Sequence, residues 1–242
     1  MPFITSNIIG PSPGLPGIGN QLFQIAAVLS YSKDYGHAAT FPCIKNPSYG
    51  GYLNNFLQKL NVDDCSGFMG YYTEPSFEYS PIPYTTGSLC IQNSYLQSEK
   101  YFCHNRELIL NTFKLPEIDI SYLNNKYGSL DSTTSLHIRR GDYLKNPNYQ
   151  KNLTDTNYYD KALKLVNPQK LLIFSDDTSW AKTNFPEHLV VEEEKDYLEI
   201  FLMSFCKDNI IANSTFSWWG AWLNNKNKRV IVPSDWFATD RK

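Results

Sequence analysis

Residues 135–144 read SLHIRRGDYL, an apolar run that ends in a histidine, two adjacent arginines, a glycine and an aspartate. Arginine carries a permanent charge on a planar fork that pairs bidentately with phosphate oxygens. If the run is a strand, successive side chains point to opposite faces, so Arg139 and Arg140 cannot serve the same contact. His137 shares a face with Arg139 as long as the strand continues. Two chemistries fit these residues: an anion site built on one arginine, or a surface salt bridge between Arg140 and Asp142.

Three other stretches carry groups of the same kind. In GLPGIGNQLFQ (14–24), glycines permit close backbone approach and lead into a helix whose first N–H groups face an anion or a sugar oxygen. Gly19, Asn20 and Gln21 stand at its mouth. The stretch is neither a G-x-G-x-x-G fingerprint nor a P-loop, and a plain tight turn explains it equally. In IIANSTFSWWGAWL (210–223), Asn213, Ser214, Thr215, Phe216 and Ser217 lie where a buried strand turns into a helix. Hydroxyls there cap the helix or meet a diphosphate, and the tryptophans behind them read as core. FSDD (174–177) ends a strand with two acids. These either hold a divalent cation, bond a base or ribose through Asp176, or cap the next helix.

Elements must bring these stretches together. Phe23, Leu22, Ile25, Ala26, Leu29 and Tyr31 fall at helical spacing and Gly36 is a natural stop. HAATF and GSLCIQNSYLQ read as strands, YLNNFLQKL and EKYFCHNRELILNTF as helices, and residues 67–87 as an irregular aromatic loop. From about residue 131 the pattern alternates regularly. SLHI, KLLIFS, LVVEE, NIIAN and RVIVP are strands; TNYYDKALKLV, SWAKTNF, DYLEIFLMSFC and the stretch after Ser217 are helices. Continuous apolar strands between helices mark a buried parallel sheet. The expectation is an α/β chain of two Rossmann-like units, 1–130 and 131–242, facing a cleft, with ligands at the carboxyl ends of the strands.

Composition narrows the ligand. A net charge of −2 argues against a nucleic-acid partner, so an anion must be met by a few local cations. Five scattered cysteines without a CxxC, and four dispersed histidines, form neither a disulfide framework nor a metal site. The N-terminus lacks a basic and then apolar leader, and no stretch approaches a membrane span. A soluble, cytoplasmic protein is expected. Together the stretches ask for a ligand with phosphates, a polar ring and a hydroxylated partner, and a nucleotide sugar meets all three.

GIGNQLFQIA, LHIRRGDY and NSTFSWWGAWL, in that order and spacing, with NSYLQSEKYF between, make the chain resemble glycosyltransferase family 11, the α-1,2-fucosyltransferases. The H-x-R-R-x-D element alone is similar to a wider set of fucosyltransferases. The resemblance implies a GT-B-like fold, GDP-fucose as donor, an oligosaccharide acceptor with O-2 of a terminal galactose as target, inversion, and no metal or other cofactor. It implies that Arg139 binds the β-phosphate, with His137, Arg140 and Asp142 in support. Asn213, Ser214, Thr215, Phe216 and Ser217 would line the diphosphate pocket, and Asp176 would meet guanine or ribose. Asn20, between Gly19 and Gln21, would act near the sugar and leaving group, with Arg139 as the other catalytic residue. The family's G-G-L-G-N-Q is here the longer, proline-bearing GPSPGLPGIGNQ. Two other readings keep much of the same sequence: a metal-dependent transferase using FSDD and another sugar nucleotide, or a catalytically degenerate protein that binds a sugar nucleotide or glycan.

Overall fold

The computed structural model describes residues 1–8, 16–67, 69–148, 150–226 and 228–238. The chain divides into two compact units, Met1–Pro116 and Glu117–Arg241.

The first unit is built on a four-stranded parallel sheet in the order β2-β1-β4-β3. Its strands are β1 (Phe3–Ser6), β2 (Ala38–Ala39), β3 (Met69–Tyr72) and β4 (Ser88–Ile91). Helix α1 (Ile18–Tyr35) follows β1, buries residues on nearly every face, and ends at Gly36. That glycine takes the left-handed conformation (φ 69°) and returns its N–H to the Ser32 carbonyl, a stop that a side chain would strain. β3 lies inside the stretch read as an irregular loop. It escapes a sequence reading because MGYY has no alternation and pairs along one side only, with β4. The expected helix at YLNNFLQKL is a 3₁₀ turn over Tyr52–Asn54 that starts from left-handed Gly51. EKYFCHNRELILNTF forms two 3₁₀ turns before α2 (Arg106–Thr112).

The second unit has a five-stranded parallel sheet in the order β7-β6-β5-β8-β9. These strands are β5 (Thr133–Ile138), β6 (Lys170–Ser175), β7 (Leu189–Val190), β8 (Asp208–Ile210) and β9 (Val230–Ile231). All six residues of β5 are buried, as a central parallel strand covered on both faces requires. Five helices alternate with the strands: α4 (Gly141–Lys145), α5 (Tyr158–Val166), α6 (Thr178–Asn184), α7 (Asp196–Phe205) and α8 (Thr215–Leu223). Where α7 meets α8, a Cβ on Gly220 would lie 2.8 Å from Met203 Cβ, so WWGAW needs its glycine for close helix packing. Trp219 is fully buried and Trp222 nearly so, which makes these two indoles core.

The boundary between the units precedes the polar stretch NNKYGSLDSTT, at which the sequence suggested a joint near residue 130. Helix α3 (Glu117–Tyr127) causes the difference. The buried carboxylate of Glu193, after β7, accepts bonds from Tyr122, Lys126 and Tyr127 of this helix at 3.0, 2.8 and 2.6 Å. Tyr197 on α7 donates to Asp119 at 3.1 Å. Helix α3 is therefore part of the second unit. Among the described residues no helix is long and apolar enough to cross a membrane.

Candidate active site

The sheet order of the second unit selects one place for a ligand. Chain order runs outward from β5 through β6 to β7, then reverses to β8 and β9 on the other side. Ligands of open parallel sheets sit at the carboxyl ends of the strands where that reversal occurs. Here that point lies between β5, which delivers His137, Arg139 and Arg140, and β8, which delivers Asn213 and Ser214. The Asp176–Asp177 pair follows β6, the other neighbour of β5.

The two arginine side chains have different partners. Arg140 is a tie within the fold. Its Nε donates to Asp177 Oδ2 at 3.1 Å, its Nη1 to Thr154 Oγ1 at 2.8 Å, and its backbone N–H to Asp176 Oδ1 at 2.8 Å. The guanidinium also lies 4.2 Å from the Trp180 ring centroid, a close cation–π contact, and only 14% of the side chain is exposed. Arg139 is 32% exposed; it pairs with two carboxylates, and its guanidinium lies 5.7 Å from the Tyr143 ring centroid. Both Nε and Nη2 lie 2.9 Å from Asp142 Oδ1, and Nε lies 3.2 Å from Asp176 Oδ2. Asp142 thus pairs with Arg139, not with Arg140 as the salt-bridge reading of the sequence had it. The side chain three residues on reaches Arg139 because helix α4 begins at Gly141 and turns the chain back.

Asp176 organises this turn. A Cβ on Gly141 would fall 2.7 Å from Asp176 Oδ2, so the glycine of R-R-G leaves room for the acid. The acid expected at guanine or ribose therefore has both oxygens on the arginine turn in this structure. Asp177 caps α6, accepting from the Trp180 N–H at 3.1 Å. That bond, then Arg140, holds its carboxyl below the usual range. Both acids of FSDD are engaged with arginine. Among the described residues no cluster of three or more His, Cys, Asp or Glu could hold a metal ion.

His137 is buried against Phe216, with ring centroids 5.5 Å apart. Burial, and after it the charge of Arg139, push its pKa down to about 3, so the ring is neutral. Its Nδ1 has no protein hydrogen-bond partner among the described residues. A neutral imidazole adds no charge to the arginines at the end of this strand.

In the NSTFS stretch only Thr215 and Phe216 reach the surface, and Asn213, Ser214 and Ser217 are buried. Ser214 caps α8, its Oγ accepting from the Phe216 N–H at 3.4 Å, and Thr215 and Phe216 are partly exposed. Asn213 and Ser217, expected to line the pocket, lie inside the fold. Asn213 is buried, and its amide donates to the carbonyls of Lys151 and Trp236 at 3.0 and 2.8 Å. Ser217 is wholly buried, and its Oγ lies 3.5 and 3.4 Å from the carbonyls of Ala212 and Ser214. Ser217, on the inner side of α8, holds the β8–α8 turn itself, whereas Asn213, before the helix, ties that turn to the segments of Lys151 and Trp236.

In the first unit, residues 9–15 of the glycine-rich stretch lie outside the described residues. Gly19 is buried in the first turn of α1. Gln21 is only 2% exposed, donates to the carbonyls of Pro16 and Tyr49 at 2.9 and 3.1 Å, and anchors the loop from inside. Asn20 is partly exposed, and its Oδ1 accepts from Gln97 Nε2 at 2.9 Å. Gln97, Thr154, Trp180 and the steric role of Gly141 were not read from the sequence. Gln97 does fall in the quoted NSYLQSEKYF, but no spacing rule links it to residue 20.

With this geometry in hand, three comparisons bear on the chain. The profile of glycosyl transferase family 11 matches residues 76–242. An Escherichia coli protein named O-antigen biosynthesis glycosyltransferase WbnK is 40% identical over 62% of the chain, which spans 56% of that relative's length. The E. coli alpha-1,2-colitosyltransferase is 29% identical, covering 93% of this chain and 91% of its own. The Caenorhabditis elegans galactoside 2-alpha-L-fucosyltransferase is 27% identical, covering 93% and 71%. Among solved structures, fucosyltransferase NodZ from Bradyrhizobium superposes with a TM-score of 0.61 at 12% identity, over 91% of this chain and 92% of that one. NodZ soaked with GDP-fucose gives 0.59 at 12% identity, over 92% and 93%. At such identities the likeness speaks for the fold, which is GT-B-like. The profile match covers more than half of the chain, and the chain belongs to glycosyl transferase family 11.

Proposed function

We propose that the chain transfers L-fucose from GDP-fucose to a hydroxyl of an acceptor glycan, O-2 of a terminal galactose, with inversion at the anomeric carbon. The observation that carries this reading is Arg139, a partly exposed guanidinium at the end of β5, ion-paired to Asp142 and Asp176 and set at the point where sheet order reverses. As the C1–O bond of the donor breaks, negative charge gathers on the diphosphate and the sugar ring becomes oxocarbenium-like. A fixed guanidinium is most effective where that charge grows. The start of α8, capped by Ser214, adds backbone N–H groups on the other side of the same crevice.

In this reading Arg140, Asp176 and Asp177 keep the turn rigid, and neutral His137 adds no further charge beside Arg139. Arginine meets the charge on the departing nucleotide, so no metal or other cofactor is needed. Full turnover in excess chelator is the expected result, and loss of turnover that a divalent ion restores would overturn it.

A second donor sugar has one observation in its favour. The relative that covers nearly all of both chains is named for colitosyl transfer. A panel of nucleotide sugars against a panel of galactosides, with linkage read by NMR, separates the two. Transfer of fucose to O-2 supports the first reading; transfer of another sugar only, or to another oxygen only, rejects it. Binding without any transfer would point to a degenerate binding protein.

A further inference from the structure

We propose that Gln97 is a positioning residue for Asn20, and that Glu74 holds Gln97 in place; this rests on the reading that Asn20 works near the sugar and leaving group. In the sheet of the first unit β1 and β4 are adjacent parallel strands at its middle. Asn20 stands at the start of the helix that follows β1, and Gln97 in the loop that follows β4. Their bond, Gln97 Nε2 to Asn20 Oδ1 at 2.9 Å, joins the two segments that leave the carboxyl ends of these neighbouring strands, the edge at which such sheets bind ligands.

An asparagine amide offers a donor or an acceptor according to which way it is turned. With its Oδ1 taken by Gln97, the Asn20 amide is fixed with Nδ2 on the opposite side. A donor there suits growing negative charge, whereas the flipped amide would present an oxygen. Gln24 holds the Asn20 backbone carbonyl at 3.2 Å, so main chain and side chain are both fixed.

The Gln97 loop is itself held in an uncommon shape. Leu96, fully buried, has φ 54°, a conformation that side-chain-bearing residues rarely adopt. Glu74, in the loop after β3, accepts the Leu96 N–H on Oε2 at 3.0 Å, and the Tyr101 hydroxyl lies 3.0 Å from its Oε1. The Glu74 N–H donates to Ser94 Oγ at 2.7 Å. Three loops at the carboxyl edge of one sheet thus converge on the orientation of a single amide. Glu74 is consequently a clamp, with both carboxylate oxygens occupied by the fold.

The test is a double-mutant cycle on the full chain with kcat and donor KM measured separately. Gln97→Ala is expected to lower kcat by about 10–100-fold, as for misplacement of a reacting group, with donor KM and melting temperature little changed. In an Asn20→Ala background the same substitution should add no further loss. Gln97→Glu should lose more than Gln97→Ala, because a carboxylate draws Asn20 Nδ2 toward itself and reverses the amide. If Gln97→Ala does not fold, Gln97→Met keeps the volume without the donor and carries the same expectation. An unchanged kcat in Gln97→Ala, or losses that multiply with those of Asn20→Ala, would overturn the proposal. An unchanged kcat in Asn20→Ala would instead overturn the role given to Asn20 itself.

Discussion

Arg139 and Asp142 meet through one carboxylate oxygen: Asp142 Oδ1 lies 2.9 Å from both Nε and Nη2 of the guanidinium. A guanidinium fork matches two acceptor oxygens side by side, and Asp142 supplies one. The aspartate side chain is also 56% exposed, so its ion pair is weak in water. A diphosphate, with several oxygens and more charge, can replace it. No such exchange suits Arg140, whose partners are a helix cap, a hydroxyl and an indole face.

Arg140→Ala is therefore expected to act first on stability. It leaves Asp177 and Thr154 without their partner and uncovers Trp180. The loss should be about 1–3 kcal/mol, from charged hydrogen bonds in a mostly buried setting. Chemical denaturation checks this, and an unchanged midpoint would remove Arg140 from the fold's framework.

Gly141→Ala places a methyl 2.7 Å from Asp176 Oδ2. The carboxylate must swing away, releasing the Arg140 N–H and one contact of Arg139. We expect donor KM to rise about tenfold, the scale of one lost charged hydrogen bond. Asp176→Ala in the same chain removes the clash, so the double variant should be no worse than Asp176→Ala alone. Steady-state kinetics on the three variants decide it.

His137 gives the second unit an acid-sensitive core. Its pKa is pushed down to about 3 by burial and then by Arg139, against about 6.5 in an unfolded chain. The unfolded state binds the proton more readily, so this contribution is complete above pH 6.5 and falls as pH drops toward 3. The slope is at most about 1.4 kcal/mol per pH unit. The stability gap between wild type and His137→Gln should accordingly narrow from pH 7 to pH 5 in urea titrations. A gap that stays constant would contradict a neutral buried ring.

Glu199 has the opposite sign. Burial first raises its pKa, the Glu193 N–H opposes the rise, and the charges of Glu193, Asp196 and Glu192 add to it, for a value of about 7 against 4.5. Its contribution is complete below the unfolded value and is lost as pH rises through 7. Glu199→Gln should melt higher than wild type at pH 8 and together with it at pH 4. Coincident melting at pH 8 would reject the raised pKa.

Much of the second unit was legible because its strands are continuous apolar runs. LHI and LLIF can only be central strands, and the helices between them alternate on cue. Helix α3 was not legible, since EIDISYLNNKY has little amphipathic pattern and is held by bonds to Glu193 and α7. Arg139 and Arg140 do differ as expected, but not through strand alternation, since β5 ends at Ile138 and both lie in the turn to α4. Their partners were not legible. Asp177, Thr154 and Trp180 come from other elements, and the Asp142 pairing depends on a five-residue helix with no signal of its own. Asn213, Gln21 and Ser217 have the chemistry of ligand groups, yet they face inward. Residue type alone does not separate a polar group that binds a ligand from one that closes a loop.

The central claim is that Arg139 meets the donor diphosphate, and Arg139→Lys tests it most directly. Lysine keeps the charge and loses the fork. Turnover of GDP-fucose by the lysine variant, beside wild type and at equal melting temperature, is the measurement. The expected result is a loss of about 10²–10³ in kcat, the scale for one donor at a developing charge. Wild-type turnover in the lysine variant would contradict the account.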